Sequence, residues 1–159
     1  MKISLSTFAL SGLLAFSLGV NADEEKKLTE QQVPNNVQEA FQKAYQDAKD
    51  VKYKEEITDR KALFEIEFKQ KSKELEALYS AAGLLLKTEE EIKITELPAH
   101  IVQVIEKAYP KAQLKEAEKI LKPDGVISGY EVEIEDGKNE VKLELDTSGK
   151  ILKTEANKD

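Results

Sequence analysis

Acidic residues recur at every second position in two stretches of this chain. Glu65 and Glu67 alternate with Phe64, Ile66 and Phe68, and Glu74 and Glu76 with Leu75 and Ala77. Further on, Glu131, Glu133 and Glu135 alternate with Tyr130, Val132 and Ile134. Glu140, Glu144 and Asp146, with Lys142 among them, alternate with Val141, Leu143 and Leu145. Successive side chains of a strand point to opposite faces, so each set of carboxylates shares a face and the apolar residues share the other. A face of this kind can stay solvated, as one side of an antiparallel sheet commonly does. It can steer a basic protein or peptide onto itself. It can also offer oxygen ligands to a hard cation such as Ca²⁺, although no EF-hand-like loop accompanies it here.

Other reactive types are sparse. His100 is the one histidine, and there is no cysteine. A lone histidine gives no usual zinc constellation, and no serine or thiol is paired with a base in the manner nucleophilic catalysis requires. Asp146-Thr147-Ser148-Gly149 superficially resembles the active loop of aspartic proteases, but it lacks the Asp-Thr-Gly spacing and suits a hairpin turn. A Gly-rich phosphate loop is also missing. The chain is therefore expected to have no catalytic residue, no metal centre and no cofactor.

Bulk properties narrow the setting. Residues 1–22, MKISLSTFALSGLLAFSLGVNA, combine a positive start at Lys2, an uncharged run over Phe8–Val20 and small residues at Val20 and Ala22. That is the pattern of a cleaved secretory signal peptide, and the run is too short for a membrane span. The chain has 24 basic and 31 acidic residues, a net charge of −7, and loss of the leader with Lys2 makes it −8. An acidic chain is a poor match for nucleic-acid phosphates or anionic lipid. After cleavage the expectation is a periplasmic protein with no membrane insertion, whose fold depends on its core because disulfides are impossible.

The elements that must position the acidic residues come as two copies. VPNNVQEAFQKAYQDA (Val33–Ala48) is echoed by LPAHIVQVIEKAYPKA (Leu97–Ala112) at an offset of 64; FEIEF (64–68) by YEVEI (130–134) and GLLLKTE (Gly83–Glu89) by GKILKTE (Gly149–Glu155) at 66. The two extra residues fit the turn Lys122-Pro123-Asp124-Gly125. Each copy opens with a proline at a helix start. Apolar residues then follow at helical spacing, Val37, Ala40, Phe41, Ala44, Tyr45 and Ile101, Val104, Ile105, Ala108, Tyr109. The period then changes to two. Each copy reads as one helix followed by four short antiparallel strands. The boundaries are an N-terminal tail over 23–32, a first repeat over 33–92 and a second over 96–155, together one domain. A single unit of about 60 residues is marginal alone, so the fold class expected is α+β: one continuous antiparallel sheet with both helices on one face.

The order (V/L)-P-x-x-(V/I)…K-A-Y, then (F/Y)-E-(V/I)-E, then G-x-(L/I)-L-K-T-E, twice over and behind a leader, resembles the PepSY-like, beta-lactamase-inhibitor-like family. The resemblance implies an exported bacterial protein, mainly periplasmic, with two tandem helix-plus-four-strand units like those of the secreted beta-lactamase inhibitor protein. It also implies action by binding rather than catalysis, without implying that this chain inhibits a beta-lactamase, since fold does not fix function. The expected partner is a basic protein or peptide of the cell envelope. The residues expected to meet it are Glu65, Glu67, Glu76, Leu78, Glu131, Glu133, Glu135 and Glu144; Leu78 is the clear apolar residue on that face. The alternative is a cation or small-ligand binder in envelope homeostasis.

Overall fold

The computed structural model describes residues 25–58 and 60–157; the proposed leader lies outside them. In chain order the elements are β1 (Glu25–Leu28), α1 (Asn35–Ala44), β2 (Lys49–Thr58), β3 (Lys61–Gln70), β4 (Lys73–Ser80), β5 (Leu85–Glu91), α2 (Ala99–Ala108), β6 (Gln113–Leu121), β7 (Ile127–Asp136), β8 (Asn139–Asp146) and β9 (Ile151–Asn157). The strands form one antiparallel sheet in sequential order. No helix among the described residues is long and apolar enough to cross a membrane.

Each helix follows from its sequence. Pro34 and Pro98 stand at the N-cap positions, with Val37 and Phe41, or Ile101 and Ile105, buried one turn apart. Both helices end at a tyrosine, Tyr45 or Tyr109, whose N–H bonds back to Phe41 or Ile105. Burying each of these large side chains stabilises the fold by roughly 1.5–3 kcal/mol.

Strand register shows that the helices share a face. Leu75 and Ala77 of β4 lie under α1. They stand opposite Glu90 and Thr88 of β5. Those two stand opposite Lys119 and Leu121 of β6. Ala117, two residues before Lys119, opposes Val132, and both pack beneath α2. Residues directly across a ladder lie on the same side of a sheet, so both helices cover one face and the other is uncovered.

The core is divided. Under α1 sits a cluster rich in rings, with Phe41 against Phe68 at 5.0 Å and Tyr45 against Phe68 at 4.5 Å between centroids. Under α2 the cluster is aliphatic, built on Ile101, Ile105, Val132, Ile134 and Leu143. The units are joined by the β5–β6 ladder and by Lys119 Nζ on Glu90 at 2.9 Å, while within the first unit Tyr45 Oη lies 3.2 Å from Thr88 Oγ1 of β5.

The repeat also begins earlier than Val33. β1 meets β2 with Glu25, Lys26 and Lys27 opposite Glu56, Glu55 and Lys54. Sixty-four residues on, Glu89, Glu90 and Glu91 of β5 stand opposite Ile120, Lys119 and Glu118 of β6. A short 3₁₀ turn follows each strand, Glu30–Gln32 and Ile94–Glu96, closed by Thr29 N–H on Gln32 Oε1 and Lys93 N–H on Glu96 Oε2, both at 2.9 Å. β5 thus serves as the last strand of the first unit and the first strand of the second.

Candidate functional site

The uncovered face is a trough. A cavity of about 200 Å³ on this face is lined by residues of β2, β3, β4, β5, β7, β8 and β9. In a flat sheet β2 and β9 would stand seven strand spacings apart, roughly 33 Å, so the sheet must curl around its outer face. Bulges at Leu78/Tyr79 and Glu144/Leu145 contribute, because an inserted residue bends its strand and increases twist. The face is therefore curved, and most of its carboxylates are half-buried.

Glu65, Glu76, Leu78, Glu131 and Glu144 all line this cavity. Glu67 shares their face and lines the adjoining depressions toward β1 and β4. Glu133 and Glu135 stand on the same face nearer the β7–β8 turn, outside the cavity; Glu135 is ion-paired with Lys115. Most of the carboxylates in the trough have a lysine. Lys54 Nζ lies 3.1 Å from Glu65 and also contacts Glu67, which Lys52 reaches at 3.1 Å. Lys142 lies 2.7 Å from Glu131, and Lys87 2.8 Å from Glu89. Burial lowers the pKa of the Lys142 ammonium, but Glu131, together with Glu76 and Glu118, outweighs it and the net shift is upward.

Glu76, Glu118, Glu133 and Glu144 have no lysine at ion-pair distance among the described residues, and two of them are strongly perturbed. No hydrogen bond or ion pair reaches Glu76 or Glu118 among the described residues. Burial, reinforced by Glu65 and Glu89, pushes Glu76 up to about 7. Burial, reinforced by Glu76, Glu89 and Glu131, pushes Glu118 up to about 8. Glu89, only 5 % exposed beside Ile120, is also raised by burial, against the pull of Lys87. The face therefore combines built-in cations with carboxylates that no lysine contacts directly, although Lys142 acts on both Glu76 and Glu118 from a distance.

Lys87 and Glu89 line the cavity, Lys54 pairs with Glu65 and Glu67 beside it, and Glu118 lines the adjoining depression with Glu76; none of the four was singled out from the sequence. Lys54 and Lys87 were visible at alternating positions of their strands. Glu118 lies on β6, where irregular register hides the period of two.

Glu65, Glu67 and Glu76 bring one oxygen each within 4.8 Å of one another, a spacing that could hold a cation. The Lys54 ammonium already sits on two of the three. His100 is remote from the trough: its exposed ring Nε2 lies 3.0 Å from the Thr147 carbonyl oxygen. Its counterpart Asn36 donates from Nδ2 to the Ala81 carbonyl at 3.5 Å. Both residues tie a helix start to a hairpin turn. Asp146 Oδ1 accepts from Ser148 N–H, Ser148 Oγ–H and Lys150 N–H, which makes Asp146-Thr147-Ser148-Gly149 a hairpin turn.

No curated protein matches this chain. Among solved structures, a DUF2874 family protein from Bacteroides uniformis is similar at 14% identity, covering 77% of this chain and 88% of that one with a TM-score of 0.60. A protein from Bacteroides eggerthii described as periplasmic is similar at 12% identity, covering 78% and 88%, with a TM-score of 0.61. A BLIP-like protein from Bacteroides fragilis is similar at 21% identity, covering 79% and 89%, with a TM-score of 0.55. At such identities the likeness is one of fold. The PepSY-like family model, described as beta-lactamase-inhibitor-like, matches residues 20–87 and again 86–153. With its two matched repeats, its two helices on one face and its single antiparallel sheet, the chain belongs to the PepSY-like, beta-lactamase-inhibitor-like family.

Proposed function

We propose that this chain is an exported, periplasmic protein that acts by binding, not by catalysis, and that its trough receives a basic segment of a protein or peptide of the cell envelope. The observation that carries this reading is the pair Glu76 and Glu118. They are half-buried, make no direct ion pair among the described residues, and have pKa values raised to about 7 and about 8 despite the more distant pull of Lys142. A lysine or arginine placed between them would relieve their mutual repulsion and gain charge-assisted hydrogen bonds in a partly desolvated site. The surrounding ion pairs would hold register without contributing much affinity, as rim charges generally do.

The test is capture from an envelope extract with the wild-type chain and with Glu76→Lys/Glu118→Lys, using Glu106→Lys on the helix side as a charge-matched control. Recovery of a partner by wild type and by the helix-side control, lost with the trough variant and at raised salt, supports the reading. Equal recovery by the trough variant contradicts it.

A further inference from the structure

We propose that β9 of one copy pairs with the β2 edge of a second copy, displacing the short strand β1, so that the protein self-associates head to tail. This inference is independent of what the trough binds. It rests on a template inside the molecule, the seating of β5 on β6. By the repeat, β9 is the equivalent of β5, and β2 the equivalent of β6. The β5 residues Lys87-Thr88-Glu89 recur unchanged as Lys153-Thr154-Glu155 in β9. In β5 the outer edge is taken by β6 through the pairs Thr88–Leu121, Glu89–Ile120, Glu90–Lys119 and Glu91–Glu118. Among the described residues the matching edge of β9 is open, since β9 is the last strand of the sheet and pairs there only with β8. Open edges are templates for further pairing.

The acceptor edge is lightly held. β1 has four residues, pairs among the described residues with β2 alone, and leaves Lys26 and Lys27 exposed. One of its cross-strand pairs, Lys27–Lys54, sets like charges opposite each other, an arrangement that weakens a ladder. Transferring the β5–β6 register to the new contact places Thr154 opposite Ile57, Glu155 opposite Glu56, Ala156 opposite Glu55 and Asn157 opposite Lys54 of the second copy. The facing of Lys27 and Lys54 is then removed, and Thr154 meets Ile57 as Thr88 meets Leu121. The contact joins two different edges, so it is heterologous and each added copy leaves one acceptor and one donor edge free.

The absence of cysteine makes the test clean. Lys26 and Glu55 are direct cross-strand partners, so Lys26→Cys/Glu55→Cys lies within disulfide reach and locks β1 in place. The solution mass of the wild-type chain, measured by light scattering up to millimolar concentration, is expected to rise past the dimer value. The oxidised locked variant is expected to stay monomeric and to regain association on reduction. Glu55→Cys/Ala156→Cys is expected to form disulfide-linked multimers under mild oxidation, where Glu55→Cys alone forms at most dimers. A wild-type mass that stays monomeric throughout, association undiminished in the locked variant, or absence of linked multimers from the double variant would each overturn the proposal.

Discussion

Glu76 stands directly opposite Glu89 on neighbouring strands, two carboxylates on the same face of the sheet, and among the described residues no lysine lies at ion-pair distance from Glu76. Like charges set opposite each other in a ladder repel, and burial adds to the cost of ionising both. The outer face is therefore assembled against its own charge at the point where the two units join.

Stability should accordingly depend on pH in an unusual direction. Glu76 and Glu118 have folded pKa values of about 7 and about 8, above the ordinary 4.5, so the native state holds their protons more tightly than the unfolded chain does. Their contribution is complete below pH about 4.5. It declines as pH rises, through about 7 for Glu76 and about 8 for Glu118. Glu67 and Glu90, lowered by their lysines, act in the opposite sense only below the ordinary carboxylate value. Denaturant unfolding should show the protein more stable at pH 5 than at pH 8, by about 1–3 kcal/mol once solvent screening is allowed for.

Glu76→Gln separates this effect from general charge. It removes the repulsion with Glu89 and keeps the side chain's size. We expect a gain of about 1–2 kcal/mol at pH 8 and little change at pH 5, read from the same unfolding curves. A loss of stability at pH 8 would show that Glu76 has a favourable partner.

The turn glycines should rank by what a methyl group would meet. Gly83 has φ of +79° and an added Cβ would lie 2.5 Å from the Asn36 carbonyl oxygen; Gly137 has φ of +72° with open space around it. Both Gly→Ala changes incur the left-handed backbone cost of about 1 kcal/mol. Gly83→Ala should add a further ~1–3 kcal/mol because helix backbone must move. Thermal melts of the two variants side by side test the order.

His100 is expected to be structural. His100→Ala removes the bond to the Thr147 carbonyl and should cost about 0.5–1.5 kcal/mol. His100→Asn imitates the Asn36–Ala81 contact of the first unit and should recover most of that loss in the same melt.

What the sequence revealed depends on where its period is unbroken. In β3, β4, β7 and β8, alternation identifies the inward residues correctly, from Phe64 and Ile66 to Leu143 and Leu145, and the repeat shows the duplication. In β6 the apolar residues Leu114, Ala117 and Ile120 are spaced by three, because register shifts at Leu114/Glu116 and Ile120/Leu121 break the alternation. β1 offers one apolar residue, Leu28, and its strand state comes from its partner β2. The acidic face was legible, its curvature was not. Nor was the burial of Glu89, which depends on Ile120 across a connection that includes α2.

The central claim is that the trough, and no other surface, takes up positive charge. Backbone and glutamate side-chain resonances followed by NMR during titration with a lysine-rich probe peptide test it most directly. The account predicts saturable shifts at Glu76, Glu89, Glu118 and Glu131, weakened by salt and by lowering the pH below about 6 as Glu76 and Glu118 take up protons. Shifts confined to the helix-covered side, or unchanged trough resonances at saturating peptide, would contradict it.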